Sequence, residues 1–162
     1  MIKFPPLLAS IARGSGRKAW AALFVIVALT AGICCIDYDC PVDEQQLPER
    51  ARTFLHTHFP GQTIAFAEKE VEVLTVTYKV ILVNGTKLVF ARNGDWLKID
   101  SKFGHVPPAT VPAPIRSWLD ERALSGRMLE IEKEHGTYEV KLSEGIEMKF
   151  DDATFEIVSY EH

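Results

Sequence analysis

The fold of this chain is decided by the stretch from Tyr78 to Phe90, which reads Tyr-Lys-Val-Ile-Leu-Val-Asn-Gly-Thr-Lys-Leu-Val-Phe. Tyr78, Val80 and Leu82 alternate with residues of the opposite strand face, as in a β-strand that buries one side. The dipeptide Asn84-Gly85 then separates two alternating runs, which is a strong hairpin signal because a type I′ turn needs positive φ at both positions. The stretch predicts two antiparallel strands joined by a tight turn.

The same pattern returns 60 residues later, from Tyr138 to Phe150, with Tyr, Val, Leu, Gly and Phe at matching places. Each copy follows a helical pattern, first an apolar stripe over residues 47–58 and then a segment opened by Pro112 and Pro114. We therefore predict two tandem helix-plus-four-strand repeats. Repeat one covers residues 45–103, the linker 104–111 and repeat two 112–162.

The predicted fold class is α+β, with the two repeats forming one antiparallel sheet of about eight strands and the helices on one face. A half of about 60 residues is marginal as a separate fold, so residues 41–162 are expected to be a single domain. Trp96, Trp118 and Phe155 are expected in the core. The second repeat lacks the Gly and Trp that follow the first repeat's Phe90, which leaves its last turn undefined.

Residues 1–40 are predicted to be a signal sequence or an N-terminal membrane or lipid anchor. Residues 19–36 carry no charge, Arg13, Arg17 and Lys18 precede them and Asp37 follows, as in a secretory signal. A retained anchor and a lipid anchor on Cys34 or Cys35 are the alternatives. The chain is expected in the periplasm or attached to the outer membrane or cell surface, with membrane contact only through this segment.

The composition excludes several functional classes. The 162 residues are 47% hydrophobic and 25% charged, with a net charge of −4, which argues against disorder and against a basic nucleic-acid binder. Residues 41–162 hold 14 Lys and Arg against 20 Asp and Glu. They contain no nucleophile, phosphate-loop or metalloprotease motif, so we predict no catalytic residues, no cofactor and no enzyme.

Metal ligands are sparse as well. His56 and His58 are two residues apart on a predicted helix and would point in different directions. Asp151 and Asp152, with Glu147 or Glu156, could chelate calcium, although a solvated turn is the favoured interpretation. No metal site is predicted.

The predicted contact surface is the polar sheet face, which we expect to bind an unidentified protein or peptide of the cell envelope. Its residues are Thr75, Thr77, Lys79, Glu139, Lys141, Glu147 and Lys149. Glutamates also alternate along the first strand of each repeat. They are Glu68, Glu70, Glu72, Glu130, Glu132 and Glu134. They are interpreted as a charged edge that blocks aggregation, or alternatively as an acidic rim that attracts a basic partner.

Together these motifs resemble the PepSY-like family of bacterial cell-envelope proteins, whose fold is similar to that of β-lactamase inhibitor protein. The resemblance rests on Leu47-Pro48, Phe59-Pro60-Gly61, the two tyrosine-to-phenylalanine stretches and Phe90-x-x-x-Gly94-x-Trp96. It covers about residues 47–160. It implies an antiparallel sheet with helices on one side, an open opposite face, no catalytic residues and, by fold analogy, a protein-binding or inhibitory role.

Two function hypotheses follow. The first is an exported, non-enzymatic envelope protein that binds a protein or peptide and could inhibit it. The alternative is a calcium- or small-ligand-responsive periplasmic domain.

Overall fold

The computed structural model describes residues 38–161, which form one open antiparallel sheet of nine strands with two helices. Each strand pairs with the next one in sequence. The strands are β1 Tyr38–Pro41, β2 Ile64–Val71, β3 Val76–Leu82, β4 Lys87–Ala91, β5 Trp96–Asp100, β6 Met128–Glu134, β7 Thr137–Leu142, β8 Glu147–Asp151 and β9 Ile157–Glu161. The helices are α1 Glu49–His58 and α2 Ala113–Asp120.

The α+β class and the antiparallel sheet are as predicted, but the sheet has one strand more than expected. The additional strand is β1, which pairs with β2 so that Tyr38 lies opposite Val71. Cys40, the last residue of the predicted signal or anchor, is an exposed residue of this strand. The predicted signal or anchor, with Cys34 and Cys35, otherwise falls outside the described residues.

The core lies between the sheet and the helices. Val80, Leu88 and Phe90 from one half and Val140, Met148 and Phe150 from the other are fully buried. Ala51, Leu55, Ile115 and Leu119 of the two helices belong to the same cluster. Alternation along each strand places these residues on one sheet face, so the opposite face carries the intervening residues, most of which are polar.

Aromatic contacts repeat across the core. The rings of Phe54 on α1 and Phe90 meet edge to face at 5.7 Å, and those of Trp118 on α2 and Phe150 do so at 5.6 Å. Trp118 is partly buried against the core, as are the other two aromatic residues expected there, Trp96 and Phe155. The expectation for the three residues therefore holds, with the correction that none is fully buried.

The helices begin at prolines, as expected from the sequence. Pro48 precedes α1 and Pro112 precedes α2, where a missing N–H costs no intrahelical bond. The second helix, α2, ends at Asp120, and the chain turns at Ala123 with a φ of 56°. Within residues 38–161, neither helix has the length and apolar character needed to cross a bilayer.

The hairpin turn at Asn84-Gly85 is present, but its geometry corrects the type I′ prediction. Gly85 has a φ of 85°, whereas Asn84 is not among the described residues with positive φ. Leu82 N–H donates to Thr86 C=O and Gly85 N–H donates to Leu82 C=O, which makes a three-residue loop that ends in a left-handed glycine. Leu142 and Gly145 bond in the same pattern in the second half.

The last turn of the second half is one residue longer than its counterpart. Ala91 N–H donates to Asp95 C=O, whereas Asp151 N–H donates to Glu156 C=O. The left-handed position that Gly94 fills in the first half is taken by Phe155, with a φ of 58°. The extra residue shifts the correspondence between the two halves by one position after Phe150.

Candidate functional site

The candidate site is the open face of the sheet, the one that faces away from α1 and α2. Of the seven predicted contact residues, six lie on this face in the strands, namely Thr77 and Lys79 on β3, Glu139 and Lys141 on β7, and Glu147 and Lys149 on β8. Thr75 is exposed in the loop just before β3. These residues form two separate groups.

The first group surrounds Lys79. Its ammonium lies 3.2 Å from Glu68 Oε1 and also bonds Glu70, while Thr77 Oγ1 donates to Glu70 Oε2 at 3.3 Å. The hydrogen bond to Glu70 raises the pKa of Lys79 above its ordinary value, although partial burial acts to lower it. Lys79 is therefore held as a cation between two carboxylates of the neighbouring strand.

The second group is a chain of alternating charges on β7 and β8. Lys141 Nζ lies 3.2 Å from Glu139 Oε1 and 3.5 Å from Glu147 Oε1, and Lys149 Nζ lies 2.9 Å from Glu139 Oε2. The hydrogen bond from Lys149 lowers the pKa of Glu139, and the bond from Lys141 adds to this. The hydrogen bond to Glu139 raises the pKa of both lysines.

Three residues that the contact prediction did not include connect this group to the middle of the sheet. Lys98 Nζ on β5 lies 2.9 Å from Glu130 Oε1 and 2.7 Å from Glu132 Oε2, both on β6, and Lys141 Nζ lies 3.6 Å from Glu130 Oε1. Burial lowers the pKa of Lys98, but the bonds to Glu130 and Glu132 outweigh it and the net pKa is raised. Alternation in Leu97-Lys98-Ile99 was the signal that could have placed Lys98 on this face.

The glutamates therefore do not protect an edge, and that interpretation was wrong. β2 lies between β1 and β3, and β6 lies between β5 and β7, so neither is an edge strand. Glu68, Glu70, Glu130 and Glu132 instead neutralise lysines of adjacent strands. We call the connected set on β5 to β8 the charge network; it consists of Lys98, Glu130, Glu132, Glu139, Lys141, Glu147 and Lys149.

The two groups are not contiguous. β3 and β7 are four strands apart, which corresponds to about 19 Å at the usual strand spacing. Val89 on β4 lies between them, opposite both Lys79 and Lys98. A partner that touched both groups would have to lie across several strands.

The helix side carries a groove of about 440 Å³ between the two halves, lined by aromatic and charged residues. Trp96 and Tyr138 have ring centroids 6.1 Å apart, and Phe155 stacks on Tyr138 at 6.1 Å. Lys133 lies over the Tyr138 ring at 5.2 Å and pairs with Asp152 at 3.5 Å. The lining of this groove also includes Phe54, Arg50 and Asp95.

The carboxylates considered for calcium are engaged in other contacts. Asp151 Oδ1 accepts hydrogen bonds from the Thr154 and Ala153 amides and from the Thr154 hydroxyl, which lower the pKa of Asp151. Asp152 pairs with Lys133 and Glu147 with Lys141. Within residues 38–161, no three His, Cys, Asp or Glu side chains are grouped as metal ligands.

The two helix histidines have different neighbours. His56 Nε2 lies 3.1 Å from Glu44 Oε1, and the His58 ring packs at 4.5 Å from that of Phe54. They do not form a pair.

Comparison with known proteins finds the same fold in proteins described as "putative periplasmic". A family model described as "Putative beta-lactamase-inhibitor-like, PepSY-like" matches residues 76–157. A "putative periplasmic protein" of the DUF2874 family from Bacteroides vulgatus is 39% identical, with a TM-score of 0.73 over 76% of this chain and 97% of that one. No curated protein sequence matches the chain.

Two further solved structures are similar. A "putative calcium-regulated periplasmic protein" from Bacteroides thetaiotaomicron is 35% identical, with a TM-score of 0.72 over 76% of this chain and 97% of that one. A second Bacteroides vulgatus "putative periplasmic protein of unknown function" is 29% identical, with a TM-score of 0.70 over 77% of this chain and all of that one, 100%. The similarity covers nearly the whole of each relative.

Proposed function

Because the chain belongs to the PepSY-like family, we propose that it is a non-enzymatic protein of the bacterial periplasm that binds a protein partner through the open face of its sheet. The solved relatives are described as periplasmic, and no enzymatic family is among the matches. The family description, β-lactamase-inhibitor-like, suggests inhibition of that partner as the form of the activity.

The observation that carries this proposal is the charge network on the face that the helices leave uncovered. Apart from the buried Glu130, its lysines and glutamates are partly exposed and paired with one another, so a partner's charges can replace these pairings without leaving a buried ion unpaired. Its lysines and glutamates alternate, which favours a partner surface that carries charges of both signs.

The test is recovery of a partner from the periplasm by chemical cross-linking, with a double variant Lys79→Ala/Lys141→Ala. Lys133→Ala is the matched control, since its side chain is 41% exposed against 35% for Lys141 but lies on the helix side. We expect the double variant to lose the partner and the control to keep it. Equal recovery by all three proteins would reject the open face.

We further infer that the two halves are tandem copies of one unit within a single domain. The β3–β4 and β7–β8 registers support this, because every pair from Thr77↔Ala91 to Ile81↔Lys87 recurs 60 residues later. The residues before the sheet are proposed to be the export signal or anchor, with lipidation at Cys34 or Cys35 as one form. Mass spectrometry of the mature N-terminus distinguishes cleavage, lipidation and retention.

A calcium-responsive role is the second candidate, and the calcium-regulated relative at 35% identity favours it. The acidic turn at Asp151-Asp152 is the proposed site, where calcium would have to displace Lys133 from Asp152. Calorimetric titration with calcium should give heat that Asp152→Asn abolishes and that Asp120→Asn, at the end of α2, retains. The absence of heat at millimolar calcium rejects this role.

A further inference from the structure

The two edges of the sheet differ in how they are protected. β1 has four residues, including Pro41, which cannot donate a backbone hydrogen bond. β9 contains neither proline nor lysine, and its apolar Ile157, Val158 and Tyr160 are exposed. Natural proteins usually block an edge of this kind, because its unpaired backbone groups can accept another strand.

The first half of the sheet shows what such an edge accepts. β9 has the same position on β8 that β5 has on β4, since Tyr160 lies opposite Met148 as Ile99 lies opposite Leu88. Both pairs carry a bulge at the equivalent place, beside Phe90 and beside Phe150. The outer edge of β5 is nevertheless paired, with β6. The bulge in β9 is therefore no obstacle to a further strand.

Charges on the open face indicate the chemistry of that strand. Acidic residues lie directly opposite each other in pairs, and lysines flank two of these pairs on both sides in the register of the sheet. The flanked pairs are Asp100↔Glu130 between Lys87 and Lys141, and Glu132↔Glu139 between Lys98 and Lys149. The third pair, Glu147↔Glu161, has Lys141 on its inner side and the open edge on its outer side.

We propose that the outer edge of β9 binds an antiparallel extended segment of another protein, with an apolar side chain opposite Tyr160 and a lysine or arginine opposite Glu161. A second copy of this chain fits less well, because neither β9 nor β1 contains a lysine or arginine. The proposal concerns a different surface from the open-face function, and either can hold without the other.

The experiment measures fluorescence anisotropy of a labelled peptide, Thr-Val-Lys-Val-Lys-Val-Thr, with the full chain in mild detergent. The matched peptide has glutamate in place of both lysines. We expect the lysine peptide to bind about tenfold more tightly, since opposite charges across a strand pair attract and like charges repel. Hydrogen exchange of the backbone amides of residues 157–161 should slow when the lysine peptide is added.

Two variants, with a third as their control, show where on the protein the peptide binds. Val158→Lys places a charge on the edge and should weaken the lysine peptide about tenfold. Val73→Lys is the control, since Val73 is 66% exposed against 63% for Val158 but lies in the β2–β3 loop. Glu161→Lys should reverse the preference, so that the glutamate peptide binds more tightly.

Three results would overturn the proposal. The first is equal binding of the two peptides, or equal weakening by Val158→Lys and Val73→Lys. The second is a dimer, measured by light scattering, that Val158→Lys dissociates, which would make the edge a contact between two copies of the chain. The third is slow exchange of residues 157–161 without peptide at every protein concentration, which would mean that the chain already covers the edge.

Discussion

Asp100 on β5 and Glu130 on β6 lie directly opposite each other where the two halves of the sheet join, and their exposed fractions are 6% and 8%. Glu130 is within ion-pair distance of Lys98 and Lys141. Within residues 38–161, Asp100 Oδ1 and Glu130 Oε1 are both buried without a well-oriented hydrogen bond, but Glu130 Oε1 has Lys98 Nζ at 2.9 Å whereas the ammonium paired with Asp100, that of Lys102, is 4.0 Å away. The two carboxylates therefore contribute unequally to stability.

Replacing each carboxylate by its amide should move stability in opposite directions. Asp100→Asn removes a like-charge repulsion and should raise the free energy of unfolding by about 0.5–1 kcal/mol. Glu130→Gln removes the negative charge that pairs with two lysines and should lower the free energy of unfolding by about 1–3 kcal/mol. Urea unfolding at neutral pH measures both, and two shifts of the same sign would contradict this account.

Gly94 should tolerate alanine less well than Gly145 does. Both have positive φ, so both replacements strain the backbone. A Cβ at Gly94 would also lie 2.9 Å from the Ala51 amide nitrogen and 2.9 Å from Arg50 Cβ, whereas nothing lies within 4 Å of one at Gly145. Gly94→Ala should therefore cost at least about 1 kcal/mol more in thermal or urea unfolding. Equal costs would mean that α1 shifts freely away from the turn.

The sheet should unfold in one step, even when only one half is weakened. Phe150→Leu removes part of the Trp118 contact in the second half and should cost about 1–3 kcal/mol. Because Ile99 and Ile131 pair in a common core across the join, the first half should lose stability at the same urea concentration. Tryptophan fluorescence and circular dichroism should give coincident transitions, and separate midpoints would show independent halves.

Stability should fall in acid partly through Glu139. Its pKa is lowered in the folded protein from an ordinary 4.5, so its contribution is fully present above pH 4.5 and is lost as the pH falls through the folded-state pKa. Glu139→Gln should therefore lower the free energy of unfolding at pH 7 by about 1 kcal/mol or less, and its difference from the unmodified protein should shrink below pH 4.5. Glu156→Gln, in the exposed last turn, is the control. A difference independent of pH would exclude this role.

The buried face of the sheet could be predicted from the sequence because it depends on the periodicity of apolar residues. Val80 and Met148 belong to alternating runs on either side of a Gly turn, and both are fully buried in the core. The same alternation placed Lys79 and Lys141 on the open face. The residue pattern within each single strand was sufficient for these assignments.

The features that were missed depend on register, on a single turn residue or on one short strand. The contact between Lys98 and Glu130 joins residues far apart in sequence, and periodicity does not say which residues of two strands lie opposite each other. Phe155 adopts a positive φ that usually favours glycine, while its ring stacks on Tyr138. β1 is short, contains Pro41 and adjoins the apolar segment, so its sequence gave no strand signal.

The sequential order of the strands also bears on how the chain reaches this structure. Every strand joins the one made immediately before it, so most pairings close only a short loop, and the entropy lost in each closure is small. The exceptions are the β1–β2 pair, which closes over the segment that contains α1, and the β5–β6 pair, which closes over the longer segment that contains α2. Folding should therefore proceed from hairpin to hairpin in the order of the strands along the chain. Closure of the loop between Asp100 and Met128 should be its slowest step.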